Sequence, residues 1–294
     1  MREEIERLKK ERNAIIVAHN YQYPEVQDIA DFIGDSLELA GICVDIKADV
    51  IVFCGVTFMA ETAAILSPDK KVLIPDPDAI CPLAEMAKEE DVIRWRKKYP
   101  DARVITYVNS TAGVKALSDI CCTSANALKV VEKAGDEIIF MPDQYLGRFV
   151  AGKTNKKLHI YPGYCPVHVR LSPKHILLMK RKYPDAKVIV HPECRPEVIA
   201  LSDKALSTSQ MLRYVREEDG IFLIGTEMGI IHRMEKENPG KVFIPLTRGL
   251  VCPYMKKITL EKVLNSLREM RYEIKIREEV RERAFLSIKR MLDL

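Results

Sequence analysis

The chain has 294 residues, and at about 150 residues per domain this length predicts two domains. Its 46 Lys and Arg residues against 42 Asp and Glu residues leave a net charge of +4, too small to indicate nucleic acid or an anionic membrane as a partner. Hydrophobic residues make up 47% and charged residues 30%, the balance of an ordinary folded protein. Apolar runs such as 14–18 are far shorter than the roughly 20 residues of a membrane-spanning helix, so no membrane partner is predicted.

The N-terminal segment indicates the compartment and hence the state of the cysteines. Residues 1–12 alternate acidic and basic side chains, with Ile5 and Leu8 on one face, which predicts an amphipathic helix and not a signal peptide. We therefore expect a cytoplasmic protein. Because disulfides are rare in that reducing compartment, the eight cysteines are interpreted as buried thiols, reactive thiols or metal ligands.

The chain repeats itself with a period close to 84 residues. Residues 97–109 read KKYPDARVITYVN and residues 181–193 read RKYPDAKVIVHPE, an offset of 84. Residues 16–21 (IVAHNY) align with residues 104–109 at an offset of 88. Each copy has the same order: an apolar strand ending in two polar residues, an Asp, a hydroxyl side chain five positions later, and a Cys-Pro pair.

Because the pattern occurs three times in the same order, it predicts three small domains instead of the two that the length suggests. Near-continuous apolar strands such as 50–54 alternate with helical patterns such as 37–46, which is typical of an α/β fold with parallel sheets. The C-terminal helical segment, 257–294, is expected to pack on the first unit. The predicted units are 1–82, 83–166 and 167–256.

Paired polar residues follow the first strand of each unit, where parallel α/β folds bind their ligands. Two side chains that are two positions apart on a strand point the same way. One such pair can equally be a strand end that meets solvent, but three pairs at equivalent places indicate a binding site. The pairs are His19 and Tyr21, Tyr107 and Asn109, and His191 and Glu193.

Ser36, Ser124 and Thr208 each stand just before a helical pattern, where an N-cap is expected. As caps they would be structural. A helix N-terminus also offers free N–H groups and a positive dipole end, which suit a carboxylate or a phosphate. Three such ends that converge predict a pocket for a small molecule with several negative charges.

Cys81, Cys165 and Cys252 are each followed by proline, and no other cysteines occupy equivalent repeat positions. Each alone could be an inert thiol, but a pseudo-threefold arrangement would bring the three sulfurs together. Three thiolates suit a metal better than a disulfide. Zinc usually takes a fourth protein ligand, and a 4Fe-4S cluster with three cysteines keeps one iron open as a Lewis acid.

The remaining cysteines and histidines lie off the repeated positions. The cysteines are interpreted as core residues or neighbours of the site, and the histidines as surface or structural residues. They are Cys43, Cys54, Cys121, Cys122 and Cys194, and His159, His168, His175 and His232.

The chain contains the segments AHNYQYPEVQDIADFIGDS, YVNSTAGVKALSDICCTSANA, YCPVH, VIVHPEC, IGTEMGIIH and VCPYMKK. With these segments, the chain resembles the quinolinate synthase family of NAD biosynthesis from about residue 5 to about residue 270. The resemblance implies three similar three-layer αβα domains around a pseudo-threefold axis, with one 4Fe-4S cluster held by a cysteine from each domain. It also implies the condensation of iminoaspartate with dihydroxyacetone phosphate to quinolinate, phosphate and two waters.

The resemblance also assigns roles to individual residues. The implied cluster ligands are Cys81, Cys165 and Cys252. The implied catalytic residues are Tyr21, Tyr107, His191 and Glu193, with Tyr21 and Glu193 moving protons. The implied substrate-binding residues are His19, Ser36, Tyr107, Val108, Asn109, Ser124, His191, Pro192, Glu193 and Thr208. An aspartate-oxidising enzyme is the implied supplier of iminoaspartate.

Three alternatives stay open at this point. The chain could be another iron–sulfur hydro-lyase that acts on a different small anionic acid. It could be a non-catalytic iron–sulfur sensor or carrier, although the repeated His, Tyr, Asn and Glu residues argue against this. It could also be a structural protein stabilised by zinc, which metal analysis would distinguish from about four irons per chain.

Overall fold

A computed structural model describes residues 1–294 and contains three four-stranded sheets in which all strands are parallel. Within each sheet, the second strand in chain order lies at one edge, followed by the first, third and fourth. The strands are β1 (Ala14–His19), β2 (Phe32–Gly34), β3 (Val50–Cys54) and β4 (Lys71–Leu73) in the first sheet, β5 (Arg103–Tyr107), β6 (Ile120–Cys122), β7 (Glu137–Met141) and β8 (Lys157–Ile160) in the second, and β9 (Lys187–Val190), β10 (Lys204–Ala205), β11 (Ile221–Gly225) and β12 (Val242–Pro245) in the third.

Helices connect the strands, as parallel pairing requires, so the predicted α/β class is confirmed. None of these helices combines the length and the apolar character needed to cross a membrane. The helices are α1 (Arg2–Glu11), α2 (Pro24–Gln27), α3 (Ser36–Val44), α4 (Thr57–Leu66), α5 (Pro82–Met86), α6 (Glu89–Lys98), α7 (Ala112–Ala116), α8 (Ala127–Lys133), α9 (Gln144–Ala151), α10 (Pro173–Lys182), α11 (Pro196–Ile199), α12 (Thr208–Glu217), α13 (Ile230–Glu237), α14 (Leu260–Glu269) and α15 (Glu278–Leu292), with 3₁₀ turns at His168–Arg170 and Met255–Lys257.

The repeated aspartate of each unit ties a helix to the first strand of its sheet. Its carboxylate accepts a backbone N–H from that strand and binds a basic side chain of the helix that precedes the strand. The sets are Asp31 with Ile16 and Lys9, Asp119 with Val104 and Arg96, and Asp203 with Val188 and Lys180, at 2.6–3.1 Å. This part of the repeated sequence pattern therefore builds the fold.

The first two sheets share one hydrophobic core, whereas the third sheet has its own. The shared core contains Ile51 of β3, Phe140 of β7 and Ile288 of α15. On β11, Leu223 and the preceding Phe222 belong to separate clusters, because successive side chains of a strand point to opposite faces. The third sheet is thus buried on both faces, and Tyr21 of the first unit packs against one of them.

The C-terminal segment forms two helices with different neighbours. Helix α14 packs against α1 and β3 of the first unit, whereas α15 packs mainly against α7 and β6 of the second and also contacts α4. Within α15, the Ser287 hydroxyl donates to the carbonyl oxygen of Lys115 at 2.9 Å. The domain limits themselves remain a prediction.

We expect Asp203→Asn to lower the free energy of unfolding by about 1–2 kcal/mol, because the amide loses the charge-assisted bond to the Val188 N–H and the ion pair with Lys180. Urea titration followed by circular dichroism measures the change. Asp185→Asn, at an exposed loop position, is the matched control and should leave stability unchanged. Equal unfolding midpoints for the two variants would remove the structural role of Asp203.

Candidate functional site

The carboxyl ends of strands from all three sheets open into one pocket. His19 ends β1, Tyr107 ends β5, and His191 directly follows β9. All three side chains are buried and line the pocket. Parallel strands present their carboxyl ends at one edge, which is why three equivalent strands can contribute to one site.

The residues singled out by the sequence line this pocket, with two exceptions. Val108 lines a smaller neighbouring cavity, and Pro192 lines neither. The residues in the pocket are His19, Tyr21, Ser36, Cys81, Tyr107, Asn109, Ser124, Cys165, His191, Glu193, Thr208 and Cys252.

A chain of hydrogen bonds runs across the pocket and ends on Glu193. The Tyr107 hydroxyl donates to Oε1 of Glu193 at 2.6 Å, and His168 Nδ1 lies 2.8 Å from Oε2. His168 Nε2 lies 2.8 Å from the hydroxyl of Thr226, which in turn lies 2.6 Å from the hydroxyl of Tyr21. Residues from all three sheets therefore meet in one network.

The direction of these hydrogen bonds follows from the carboxylate. Because Glu193 can only accept, Nδ1 of His168 must be a donor. In the neutral tautomer with a proton on Nδ1, Nε2 of His168 accepts from Thr226, and the Thr226 oxygen accepts from Tyr21. Every donor then points towards Glu193, so a proton shift along this network runs from Tyr21 towards the carboxylate.

The environment of the pocket keeps the carboxylate of Glu193 charged and the phenols of Tyr21 and Tyr107 neutral. Burial by itself raises the pKa of Glu193, but the imidazoles of His191 and His168 and the hydrogen bonds from His168 and Tyr107 outweigh it and hold the pKa below its ordinary value. Burial raises the pKa of Tyr21 and of Tyr107 well above the ordinary value, and the charge of Glu193 adds to this. At neutral pH, Glu193 is ionised and both tyrosines keep their protons.

His19 and His191 are held in the same way at the ends of their strands. Nδ1 of His19 accepts the backbone N–H of Tyr21 at 3.1 Å, and Nδ1 of His191 accepts that of Glu193 at 3.3 Å. Burial lowers the pKa of His19 to about 4 and that of His191 to about 3. Both rings are therefore neutral at neutral pH, and each keeps its Nε2–H as a hydrogen-bond donor.

The hydroxyl residues do not cap their helices as expected. The cap of α3 is Asp35 and the cap of α12 is Ser207, so the expected caps Ser36 and Thr208 are the first helical residues. Helix α8 begins at Ala127, three positions after Ser124. The preceding polar residues take over the capping bonds, which leaves the Ser36 and Thr208 hydroxyls at the pocket wall.

Cys81, Cys165 and Cys252 share one local geometry. Each begins a Cys-Pro turn, and burial raises the pKa of all three thiols, that of Cys81 to about 12. Backbone N–H donors two and three positions later act the other way and lower the thiol pKa, which favours the thiolate form that binds metals. The donors belong to Leu83 and Ala84, Val167 and His168, and Tyr254 and Met255.

A compact set of potential metal ligands also lies in the pocket, formed by Cys165, His168 and Glu193, whose ligand atoms are within 4.8 Å of one another. Both nitrogens of His168 are already hydrogen-bonded, so its ring is not free to bind a metal. The sulfurs of Cys81, Cys165 and Cys252 do not form so compact a set. Because thiolates on one zinc ion lie about 3.8 Å apart, the three cysteines fit a group larger than a single ion.

Known proteins resemble this chain over nearly its whole length. The family model described as quinolinate synthetase A protein matches residues 3–293. The chain belongs to the quinolinate synthetase A family. A relative named quinolinate synthase from Dehalococcoides mccartyi is 55% identical over 290 residues, which are 98% of this chain and 96% of the relative. Relatives of the same name from Thermodesulfovibrio yellowstonii and Methanoregula boonei are 52% and 54% identical, over 99% and 100% of this chain and 97% and 98% of their own lengths.

Two groups in the pocket of this family member were missed by the sequence reasoning. The interpretation of His168 as surface or structural is wrong, because it is buried and binds Glu193 and Thr226. Glu227 also lines the pocket. A signal was available: His168 follows Cys165 by three positions, and Glu227 lies two positions beyond the end of β11.

Because the buried ring of His19 is neutral, we expect the free energy of unfolding to depend on pH. The pKa of His19 is about 4 in the folded chain against an ordinary 6.5, so the unfolded chain binds more protons between these values. Above pH 6.5 this difference in pKa contributes about 3 kcal/mol to the free energy of unfolding, and the contribution is lost as the pH falls towards 4. We expect His19→Gln, whose side chain cannot be protonated, to show a flatter dependence between pH 7 and pH 4.5.

Denaturant titration of metal-free protein across this pH range measures the effect. His175→Gln, which changes a ring outside the pocket, is the matched control and should keep the wild-type slope. A wild-type slope in His19→Gln would mean that His19 is not held neutral by burial.

Proposed function

We propose that this chain is a quinolinate synthase that condenses iminoaspartate with dihydroxyacetone phosphate to give quinolinate, phosphate and two waters. The observation that carries the proposal is that three equivalent Cys-Pro turns and the strand-end His, Tyr and Glu residues share one pocket. Membership of the quinolinate synthetase A family and the names of the relatives support it.

We propose that Cys81, Cys165 and Cys252 hold a 4Fe-4S cluster. Two observations support this ligand set: the three Cys-Pro turns line one pocket, and their sulfurs are not grouped closely enough for one zinc ion. When bound, a cluster with three cysteine ligands leaves one iron open as a Lewis acid that assists the loss of a substrate hydroxyl as water.

Neutral donors suit both substrates, which are anions. Iminoaspartate carries two carboxylates and dihydroxyacetone phosphate carries a phosphate. The Nε2–H groups of His19 and His191 and the hydroxyls of Ser36 and Thr208 donate to such oxygens. Asn109 adds an acceptor, because its buried Oδ1 has no partner in the protein and can take the imine N–H.

Glu193 and Tyr21 are the groups we propose for proton transfer. The Glu193 carboxylate is ionised and accepts a proton when a carbon next to a carbonyl or imine is deprotonated. Tyr21 keeps its proton and is linked to Glu193 through Thr226 and His168. Glu193 therefore acts as the base that takes up a substrate proton, and the Tyr21 hydroxyl acts as the acid that supplies one, while Thr226 and His168 hold both groups in place.

The substrate also implies a supplier. An imine of an amino acid hydrolyses in water, so an enzyme that oxidises aspartate must provide iminoaspartate. We expect the reaction to take place in the cytoplasm, where reducing conditions keep cysteines available as cluster ligands.

Cys252→Ala should abolish both iron binding and quinolinate formation, since two cysteines cannot hold the cluster in place. Anaerobic reconstitution followed by iron, sulfide and zinc analysis measures binding, and wild type should hold about four irons per chain. Cys43→Ala is the matched control, because Cys43 is buried outside the pocket. Zinc in place of iron, or full activity without iron, would contradict the proposal.

Glu193→Gln should keep the cluster and reduce kcat by about 10²–10⁴-fold, because the amide cannot take up a proton. Steady-state assays together with the iron content of the same sample measure both properties. A wild-type kcat in a variant with full iron content would exclude Glu193 from the chemistry.

A further inference from the structure

We propose that Asp143 and Glu227 are positioning residues that fix the backbones of Cys165 and Cys252. This inference rests on the proposed function, since it assigns these cysteines to a metal group. Neither acid belongs to the repeated pattern described above, and both are almost completely buried, with exposed fractions of 0% and 1%.

Asp143 divides its two oxygens between its own helix and a cysteine. Oδ1 caps α9 by accepting the N–H groups of Tyr145 and Leu146 at 2.9 and 2.7 Å. Oδ2 accepts the backbone N–H of Cys165 at 3.1 Å. A helix cap needs only one oxygen, so the second contact is an additional task for this carboxylate.

Glu227 makes the same division in the third sheet. Oε2 accepts the N–H of Gly229, two positions further along, at 2.7 Å, and Oε1 accepts the backbone N–H of Cys252 at 3.2 Å. Lys256 Nζ lies 3.2 Å from Oε1 and donates to the carbonyl oxygen of Tyr21. The Cys252 backbone is thereby tied to the strand end that carries Tyr21.

The two acids occupy equivalent places in their units. Asp143 lies two positions after the end of β7, and Glu227 lies two positions after the end of β11. The residue two positions after β3 is Val56, which has no polar side chain. The arrangement thus occurs twice, once for each of two cysteines, and is absent at Cys81.

Carboxylates suit this task because each offers two acceptor oxygens and no donor. A buried N–H without an acceptor costs about 1–3 kcal/mol, so each acid favours one position of its cysteine backbone over others. The carbonyl oxygen of Cys165 accepts the N–H of Val169 and that of Cys252 accepts the N–H of Lys256, both at 3.2 Å, so the acid and the turn that follows hold each cysteine backbone on both sides. Partners of this kind commonly change metal affinity 10–100-fold.

Two variants separate the cysteine contact from other roles of the acids. Asp143→Ser keeps an N-cap for α9, but a serine hydroxyl cannot also reach the Cys165 N–H. In Glu227→Gln, the amide oxygen can accept the N–H of Gly229 only if the NH₂ group faces the N–H of Cys252, which then has no acceptor. Asp203→Asn is the matched control, because it removes a carboxylate that binds backbone far from the cysteines.

Amide hydrogen exchange by mass spectrometry tests the contacts directly. We expect the Cys165 amide to exchange at least tenfold faster in Asp143→Ser, with the Cys252 amide unchanged, and the reverse in Glu227→Gln. Asp203→Asn lowers only the overall stability and should therefore change the two amides equally, if at all. Exchange at the wild-type rate at both cysteines would overturn the inference. Faster exchange at both cysteines in each variant would also overturn it, because that result indicates a general loss of stability. If Asp143→Ser does not fold, Glu227→Gln carries the same test at Cys252.

Release of iron from the anaerobically reconstituted holoprotein to a chelator measures the consequence. We expect about tenfold faster release from Asp143→Ser and Glu227→Gln, and the wild-type rate from Asp203→Asn. Release at the wild-type rate from all three would overturn the positioning role. A wild-type protein that takes up no iron would instead overturn the proposed function, while amide exchange, which needs no metal, would still decide whether the contacts exist.

Discussion

The buried carboxylate of Glu193 is the constraint on which the site depends. A charged group with about 2% of its surface exposed is stable only if hydrogen bonds replace the lost water. Those bonds come from Tyr107 at the end of β5 and from His168 beside the Cys165 turn. Thr226, which follows β11, and Tyr21, which follows β1, extend the hydrogen-bond network to the third and first sheets. The strand ends must therefore meet closely, and the same closeness brings the three Cys-Pro turns to one pocket.

In each of the three equivalent units, some residues of the repeated sequence pattern stabilise the fold and others line the site. The aspartate that binds each first strand is present in all three units and serves the fold. The Cys-Pro turn is also present three times and faces the pocket. The strand-end pairs differ from unit to unit: they are His19 and Tyr21, Tyr107 and Asn109, and His191 and Glu193. A repeated backbone thus surrounds a pocket whose side chains are not equivalent.

Much of the framework could be predicted from the sequence, because it depends on short-range order. The predicted apolar strand 50–54 agrees with β3 to the residue. The edge strands β2, β6 and β10 were missed, since two or three residues are too few to show a period. Ser36 and Thr208 were placed one position wrongly as caps, because serine, threonine and aspartate are all good caps and the sequence offers adjacent candidates.

The sequence by itself determined the α/β class, the threefold repeat, the family resemblance and the positions of the three Cys-Pro turns, because these follow from period and residue type. Only the tertiary structure decided which buried polar groups meet. His168 joins Glu193 to Thr226 across 25 and 58 residues of chain, and Asp143 and Glu227 reach Cys165 and Cys252. A hydrogen bond depends on distances of about 3 Å between atoms, and no local pattern of residues specifies such distances between segments far apart in the chain.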